Sequence, residues 1–277
     1  MKVSVIVAVY KDLEALALIL DAMARQTYKN LEVVVAEDND APETKKFLAQ
    51  YKNLDIVHTY HPDIGRTKQA SQNRAVCAST GDYLIFIDGD CIPYSTFVAG
   101  HVALAGPKRI LSGRRVNLPE NLSTQIRNHI LSAETLENNY WWFSLKQLAW
   151  DREVRFEQGI YVQPDGWLYR RYIGNRSRNT QLLGCNFSCF KEDFVAINGF
   201  DESYGLSILG DDTDLNWRFV DYGCELHSCK NVANMFHLYH RRPTYDYDPT
   251  EDFRRFNERK AAKQYKCEKG ISQYCKG

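Results

Sequence analysis

The 277-residue sequence predicts an α/β fold with a mostly parallel sheet, on three observations. Short apolar runs rich in β-branched residues alternate with helical patterns over residues 3–90. Hydrophobic residues make up 44% of the chain, which is enough for a core of ordinary size. Acidic clusters directly follow apolar runs, and open parallel sheets bind ligands at the carboxyl ends of their strands.

Residues 1–100 have the most regular pattern. Four apolar runs are typical of buried strands: residues 3–9, 31–36, 54–58 and 83–87. Between these runs, helices are predicted at residues 13–24 and 67–78, and Asp12 is placed to cap the first. This alternation of strands and helices implies βαβ units, which build a parallel sheet.

Residues 101–245 continue with a less regular pattern. Further helices are predicted at residues 97–105, 123–138 and 212–222, and strands at residues 110–112, 182–190 and 232–236. Residues 139–180 are rich in Trp, Tyr and Arg without a clear period, so we interpret them as loops that shape a site. Residues 246–277 are predicted to form a helical extension with basic residues Arg254, Arg255, Arg259, Lys260 and Lys263.

Charge and cysteine content argue against several classes of protein. Lys+Arg and Asp+Glu both total 35, and a chain without net charge is a poor candidate for a nucleic-acid partner. No apolar stretch reaches the roughly 18 residues of a membrane span, and no export signal is recognised. The eight cysteines show neither C-x-x-C pairs nor zinc spacing, so we expect reduced thiols in a cytoplasmic protein.

Two aspartates follow the strand predicted at residues 83–87. In Asp88-Gly89-Asp90, two carboxylates flanking a glycine can hold a divalent cation and leave room for a phosphate. Such oxygen ligands suit Mg²⁺ or Mn²⁺. An Asp-Gly turn between a strand and a helix explains the same triplet without a ligand, so both interpretations stay open.

A second acidic group, Gly210-Asp-Asp-Thr-Asp214, begins the helix predicted at residues 212–222. Carboxylates in a first helical turn often only complement the helix dipole. Here mutual repulsion raises the carboxylate pKa values while the helix N-terminus lowers them. A carboxylate between these opposing effects can take a proton from a hydroxyl, so this group is a candidate general base.

Two histidines, His237 and His240, follow the strand predicted at residues 232–236. An imidazole ligand favours Mn²⁺ over Mg²⁺. On an extended segment, side chains three residues apart point to opposite faces, so we expect only one imidazole to reach the metal. His237 is preferred and His240 is the alternative, and two histidines without a ligand are the remaining interpretation.

Six motifs occur in order along nearly the whole chain: VSVIVAVY (3–10), GDYLIFIDGDCIP (81–93), LSGRR (111–115), GFDE (199–202), GDDTDL (210–215) and FHLYH (236–240). Together they resemble family 2 glycosyltransferases of the GT-A fold, with a second half similar to the galactosyltransferase/N-acetylgalactosaminyltransferase type. The resemblance implies one domain over residues 1–245. Its Rossmann-like half (1–100) would bind a UDP-sugar, and residues 101–245 would bind the acceptor.

The resemblance also implies roles for single residues. It assigns the uridine pocket to Ala8, Val9, Tyr10 and Asp38. The metal ligands would be Asp90 and His237, while Asp88, with Gly89 beside it, would bind the ribose, the metal or a metal-bound water. Asp212 corresponds to the general base and Asp211 to a residue that holds acceptor hydroxyls.

The chain departs from the family pattern at some of these positions. Ala8 replaces the usual proline, and residues 37–40 replace the commoner D-D-G-S. Gln72 stands where many relatives carry arginine, so the phosphate contact is expected from Lys68 or Arg66. Residues 207–209 lack the tryptophan that relatives often carry there, so the identity of the acceptor does not transfer.

The predicted reaction is an inverting transfer from a UDP-sugar to a carbohydrate hydroxyl, with galactose or N-acetylgalactosamine favoured and Mn²⁺ or Mg²⁺ as cofactor. Cell-surface polysaccharide synthesis is the expected setting. A non-catalytic nucleotide-sugar or carbohydrate-binding module is the alternative. A nucleotidyltransferase or other nucleotide-dependent α/β enzyme is a weaker rival, because the chain has no P-loop or G-x-G-x-x-G motif.

Two features leave alternatives open. The aromatic residues 140–143 are either an acceptor platform or ordinary packing. The basic C-terminal helix is either a solvated face or, beside these aromatics, a peripheral membrane contact for a lipid-linked acceptor. The sequence does not predict the oligomeric state.

Overall fold

A computed structural model describes residues 1–65, 67–148, 151, 153–174, 180–205, 207–241 and 248–275. The first part of the chain alternates strands and helices as the apolar pattern predicts. Its elements are β1 (Val3–Val9), α1 (Leu13–Ala24), β2 (Leu31–Glu37), α2 (Pro42–Leu48), β3 (Ile56–Thr59), α3 (Lys68–Ala78), β4 (Tyr83–Asp88), β5 (Cys91–Pro93) and α4 (Phe97–Leu104).

The second part contains shorter elements. They are β6 (Arg109–Ser112), β7 (Val116–Asn117), α5 (Glu120–Arg127), α6 (Ala133–Asn138), α7 (Tyr140–Phe143), β8 (Asn186–Phe190), α8 (Lys191–Ala196), α9 (Asp212–Asp221), β9 (Glu225–Ser228), β10 (Met235–His237) and α10 (Thr250–Ala261). Short 3₁₀ or π turns join them, at Ser144–Leu148, Phe156–Gln158, Tyr169–Ile173, Glu202–Tyr204, Ile208–Gly210 and Ile271–Gln273.

In the described part of the chain, seven strands form one sheet in the order β3-β2-β1-β4-β8-β6-β9. Strands β3, β2, β1 and β4 run parallel, as do β6 and β9, and β8 is antiparallel to both of its neighbours. A smaller sheet has the order β5-β10-β7. The predicted α/β fold with a mostly parallel sheet is confirmed.

The core lies on both faces of the larger sheet. Val5 and Val7 of β1 pack on the face covered by α1, which contributes Leu16. Ile6 points to the other face, where Phe219 of α9 is buried. Successive strand residues point to opposite faces, so a strand with both faces covered needs a continuous apolar run.

Several predicted elements differ from the structure. The helix predicted at residues 123–138 is divided into α5 and α6, and between them His129 has a positive φ of 56° that interrupts a helix. The strand predicted at residues 182–190 begins only at Asn186. Helices α2 and α8 and strands β5, β7 and β9 were not predicted, because such short segments carry little periodicity.

The C-terminal segment packs onto the rest of the chain. Arg259 of α10 forms an ion pair with Asp201, and the Asn198 side chain donates to the Cys267 carbonyl at 2.7 Å. A disulfide joins Cys77 of α3 to Cys275. The expectation that all cysteines are reduced thiols is therefore wrong for this pair. The pair could not be found from sequence spacing, because 198 residues separate the two cysteines.

The other six cysteines are buried free thiols. Among the described residues, no helix is both long and apolar enough to cross a membrane.

Candidate active site

The carboxyl ends of β1, β2 and β4 bring together the residues assigned to nucleotide binding. In the strand register, Ala8 lies beside both Ala36 and Asp88. A cavity of about 470 Å³ opens at this edge, and we call it the Asp88 cavity. Its lining residues are Ala8, Val9, Tyr10, Asp38, Lys68, Ser71, Asp88, Asp90 and His240.

Gly89 is required by the close approach of β1 rather than by the cavity. A Cβ atom at this position would lie 2.5 Å from the Ala8 carbonyl oxygen, closer than packing allows. Gly89 does not line the Asp88 cavity. Its presence in the Asp-Gly-Asp triplet therefore has a packing explanation that is independent of any bound phosphate.

Asp38 is a buried carboxylate held by a hydrogen-bond network. Thr67 donates to it from its backbone N–H at 2.9 Å and from its hydroxyl at 2.5 Å. His61 Nε2 lies 3.1 Å from Asp38 Oδ1. Both partners are more than twenty residues away in the chain, and sequence analysis did not find them. The network fixes the carboxylate in the wall of the Asp88 cavity.

Tyr10 lies at the rim of the same cavity. Its side chain is half exposed, and its hydroxyl donates to Asp63 at 3.3 Å. The ring is therefore accessible to a planar ligand that enters the cavity.

Lys68 bridges two of the predicted site residues. Its Nζ lies 2.7 Å from Asp88 Oδ1 and 2.9 Å from Asp211 Oδ2. Burial lowers the pKa of Lys68, but the carboxylates of Asp211 and Asp88 outweigh this effect and raise it above its usual value. The ammonium therefore stays charged and joins the end of β4 to the start of α9. Arg66, the other candidate for a phosphate contact, lies outside the described residues.

Asp90, His237 and His240 form a group that can hold a metal ion. Asp90 Oδ2 lies 3.3 Å from His237 Nε2 and 3.2 Å from His240 Nε2, and one ligand atom from each residue lies within 4.8 Å of the others. Burial raises the pKa of Asp90, but the hydrogen bonds from both imidazoles outweigh this effect and bring the pKa well below its usual range.

The expectation that only one imidazole reaches this position is wrong. Strand β10 ends at His237, and the Leu238 N–H then bonds the Asp90 carbonyl oxygen at 2.9 Å. Beyond the end of the strand, the His240 ring lies with its centroid 5.1 Å from that of the His237 ring. His240 is thus placed as well as His237 to be a ligand.

This group of donors fits the predicted ion. One carboxylate oxygen with two imidazole nitrogens suits a borderline ion such as Mn²⁺ better than Mg²⁺. Asp88, which we also considered as a ligand, is paired with Lys68 and lies outside the group of three.

The three carboxylates at the start of α9 have different environments. Asp212 Oδ2 accepts from the Gly184 N–H at 3.3 Å, and burial together with the charge of Asp211 raises the Asp212 pKa. A Cβ at Gly184 would lie 2.7 Å from Asp211 Oδ1, so only glycine lets this loop approach α9. Asp214 is fully buried in an ion pair with Arg218 at 2.5 Å, and its role is structural.

Asp212 faces a second cavity of about 580 Å³, which we call the Asp212 cavity. Its lining residues are Arg114, Arg115, Asn117, Arg155, Gln158, Gln181, Leu182, Leu183, Asp212, Thr213, Asn216, Trp217, Phe256 and Lys260. Except for the predicted base, sequence analysis assigned none of them to an acceptor site. They come from five separate segments that only the fold brings together.

The aromatic residues 140–143 do not line the Asp212 cavity. Tyr140 is buried, and its hydroxyl donates to the Phe156 carbonyl at 2.5 Å, so it serves packing. Trp141 and Trp142 are exposed. Trp217 and Phe256 supply the aromatic part of this cavity, with ring centroids 6.1 Å apart.

Comparison with known proteins places this site in a family. Residues 4–173 match the family described as glycosyl transferase family 2, and residues 169–241 match the one described as N-terminal domain of galactosyltransferase. Glycosyltransferase AglE of Haloferax volcanii is 33% identical over 102 residues, which are 35% of this chain and 33% of the relative. Hyaluronan synthase of Pasteurella multocida is 24% identical over 87% of this chain and 24% of its own length.

Solved structures show the same fold. Residues 1–349 of S. aureus TarS, in complex with UDP-GlcNAc, align with a TM-score of 0.65 and 15% identity, covering 99% of this chain and 69% of that one. A mannosyltransferase of Pyrobaculum calidifontis, in complex with GDP-Man and Mn²⁺, aligns with a TM-score of 0.54 and 15% identity, covering 95% and 62%. These alignments confirm the GT-A fold. The two curated relatives named above are about three to four times longer than the regions that they share with this chain.

The site residues fall within the two matched regions. Asp88 and Asp90 lie in the first match, and Asp212, His237 and His240 lie in the second. The chain belongs to glycosyl transferase family 2, and its residues 169–241 are similar to the N-terminal domain of galactosyltransferase.

Proposed function

We propose that the protein is an inverting glycosyltransferase that moves a sugar from a UDP-sugar to a carbohydrate hydroxyl. The observation that carries this proposal is the bridge from Asp88 through Lys68 to Asp211. It joins the nucleotide-binding edge of the sheet to the first turn of α9, where Asp212 lies. A donor in the Asp88 cavity and an acceptor in the Asp212 cavity would therefore meet beside Asp212.

In this proposal the Asp88 cavity binds the donor. Asp38 accepts a hydrogen bond from the uracil, and Tyr10 covers the base. Val9 and Ala8 form the floor, and the Val9 carbonyl is already fixed by the N–H of Asp38 at 2.8 Å. Asp88 contacts the ribose, and Lys68 provides the positive charge next to the diphosphate.

Asp90, His237 and His240 would hold the divalent cation, with Mn²⁺ favoured over Mg²⁺ by the two imidazoles. When bound, the ion supplies positive charge that neutralises the diphosphate leaving group. The three side chains hold each other in place, because both imidazoles approach the same carboxylate oxygen.

Asp212 is the proposed general base. It takes the proton of the acceptor hydroxyl while the acceptor oxygen bonds to the anomeric carbon and the bond from that carbon to UDP breaks. A raised pKa makes the carboxylate a better proton acceptor. A single displacement inverts the anomeric configuration, and no covalent intermediate is required. We assign Asp211, which Lys68 holds beside Asp212, to the binding of acceptor hydroxyls.

Galactose or N-acetylgalactosamine is the proposed donor sugar, supported by the galactosyltransferase-type match over residues 169–241. Relatives described as hyaluronan synthase and as an amylovoran biosynthesis glycosyltransferase support synthesis of a cell-surface polysaccharide. We place the reaction in the cytoplasm, with an acceptor glycan that is either free or lipid-linked.

We also propose that residues 1–245 form one catalytic domain, with the donor bound by residues 1–100 and the acceptor by residues 101–245. The C-terminal extension, residues 246–277, adds to the acceptor side, because Phe256 and Lys260 of α10 line the Asp212 cavity.

The test is UDP release from a panel of UDP-sugars with Mn²⁺ and candidate glycans, with and without EDTA. Wild type is compared with Asp212→Asn and with Asp221→Asn, a matched control at the exposed end of the same helix. Metal-dependent turnover of one donor that Asp212→Asn lowers by about 10²- to 10⁴-fold supports the proposal. If no UDP-sugar binds in the presence of Mn²⁺, the nucleotide-sugar assignment fails.

A nucleotide sugar that binds without turnover on any acceptor would favour the non-catalytic binding module instead.

A further inference from the structure

Positive charge dominates the Asp212 cavity. Among the residues that the structure describes, four cationic side chains and a single carboxylate line it: Arg114, Arg115, Arg155, Lys260 and Asp212. Within the described ranges of the chain, no carboxylate lies within ion-pair distance of Arg115, Arg155 or Lys260. The lining is therefore positively charged, although the chain as a whole has equal numbers of acidic and basic residues.

The cations of this cavity also affect one another. Burial lowers the pKa of Arg114, and the positive charge of Arg155 lowers it further. Arg114 Nη1 is anchored by the Ser112 hydroxyl at 3.0 Å and by the Gly113 carbonyl at 2.6 Å, so it cannot swing away from Arg155. Like charges held together in this way attract an anionic ligand, which relieves their repulsion.

Arg155 is held in position by its neighbours. Its backbone is in the left-handed region, with φ 52°, which is uncommon for a residue other than glycine. The preceding Val154 is buried, and its carbonyl accepts from the Asn117 N–H at 3.1 Å. The Asn117 side chain donates to the Glu153 carbonyl at 2.9 Å. The exposed guanidinium therefore stands on a fixed loop at the rim of the cavity.

The remaining wall suits a sugar. Phe256 offers apolar ring surface beside the largely buried Trp217, and Lys260 Nζ lies 5.8 Å from the centre of the Phe256 ring. A sugar that contacts these rings would place its substituents near both Lys260 and the arginines. Arg115 is left out of the binding set, because its charge interacts with Asp88 and Asp90 on the donor side and its Nη1 contacts Cys185 Sγ at 3.3 Å.

We propose that the acceptor is an acidic glycan, whose phosphate or carboxylate is bound by Arg114, Arg155 and Lys260 while Asp212 takes the proton of a neighbouring hydroxyl. Guanidinium groups bind both anions through paired hydrogen bonds. The cations also offset the repulsion between the anion and the Asp212 carboxylate. This inference rests on the proposed function, since it assigns the acceptor of the same reaction.

The experiment measures the binding of three matched tetrasaccharides to the full chain by calorimetry in the presence of saturating UDP and Mn²⁺. One probe contains glucuronate, one is its carboxyl-reduced neutral counterpart, and one is that neutral form with a 6-phosphate. We expect at least one acidic probe to bind about tenfold more tightly than the neutral probe, as charge-assisted hydrogen bonds imply. Whether the carboxylate or the phosphate binds more tightly identifies the anion.

Variants then locate the binding. Arg155→Gln should remove most of the tenfold preference, and Arg155→Lys should keep part of it. Lys260→Gln should remove less of the preference, because the Lys260 ammonium is a point charge without paired donors. Lys29→Gln, an exposed lysine before β2 at the opposite edge of the sheet, is the matched control and should keep the full preference. Thermal unfolding of each variant verifies that it is folded.

Equal binding of all three probes to wild type, or a full preference in folded Arg155→Gln, would overturn the proposal. The outcome is separable from that of the proposed function. If UDP fails to bind with Mn²⁺ present, the glycosyltransferase assignment itself fails and this inference fails with it. If UDP binds and the acidic preference is absent, only the acidic acceptor is wrong.

Discussion

The Asp88 cavity and the Asp212 cavity are joined by the Lys68 bridge, but their charges are opposite. Of the described residues, three aspartates and one lysine line the first, whereas four cations and one aspartate line the second. A diphosphate would be repelled by the first cavity unless a metal ion joined it. The anionic glycan that we propose as acceptor would bind to the second cavity directly.

If both proposals hold, this contrast lets one chain without net charge bind two anions side by side. The donor side would then depend on a removable cation, so that the charge needed to release UDP is supplied with the ion. The acceptor side would depend on guanidinium groups that belong to the fold itself. The two cavities should therefore respond differently to chelation and to single substitutions.

The largest effect should follow loss of the metal group. His240→Ala should weaken UDP binding in the presence of Mn²⁺ by about 100-fold, because one of three ligands is lost. His227→Ala, at a half-exposed histidine of β9, is the matched control and should bind UDP as wild type does. Calorimetric titration with UDP measures the affinity of both variants. EDTA should lower the UDP affinity of wild type at least as much as His240→Ala does.

If His240→Ala kept wild-type affinity while His237→Ala lost it, His237 alone would complete the metal shell. The contrast between the cavities would stand, but the pair of imidazoles would not act together.

A smaller effect is expected at the base-binding end of the donor side. Asp38→Asn should lower UDP affinity about tenfold, because hydrogen bonds to a charged group are worth roughly 1.5–3 kcal/mol. The neighbouring Asp40→Asn changes an exposed carboxylate of the same acidic group and should leave affinity unchanged. Titration with UDP and with uridine compares them, and an equal loss in both variants would show a general charge effect instead of a specific contact.

The smallest effect concerns the pH dependence of the acceptor side. Burial and the Asp211 charge raise the Asp212 pKa, so the rate should fall on acidification at a higher pH than an ordinary aspartate would cause. Asp211→Asn removes one of these causes and should shift this acid limb of kcat/KM to lower pH. An acid limb that stays in place or moves to higher pH would show that Asp212 is not the group that titrates.

The donor half of the site could be predicted from sequence because several of its residues lie at the end of an apolar run. A buried parallel strand is visible as such a run, and strand ends meet at one edge of the sheet, so the pattern indicated Asp88 and Asp90, while the family resemblance added Ala8, Asp38 and Lys68. The partners of Asp38 could not be found this way. His61 and Thr67 belong to a loop without periodicity, and only the folded chain brings them to the carboxylate.

The acceptor half was harder to predict for a different reason. Arg155 lies in an irregular segment and Lys260 on a helix with many other charges, so neither stands out in the sequence. Asp214 shows the opposite error, since its place in an acidic cluster suggested chemistry although it is buried against Arg218. His240 was underestimated because the end of β10 could not be located to a single residue.

The most direct test of the account is the anomeric configuration of the first product, determined by ¹H NMR on the donor and acceptor found in the UDP-release panel. Attack by a hydroxyl that Asp212 deprotonates predicts a β-linked product from the α-linked UDP-sugar. An α-linked product would contradict the account, because it requires retention of configuration, and a single displacement with Asp212 as the base does not allow it.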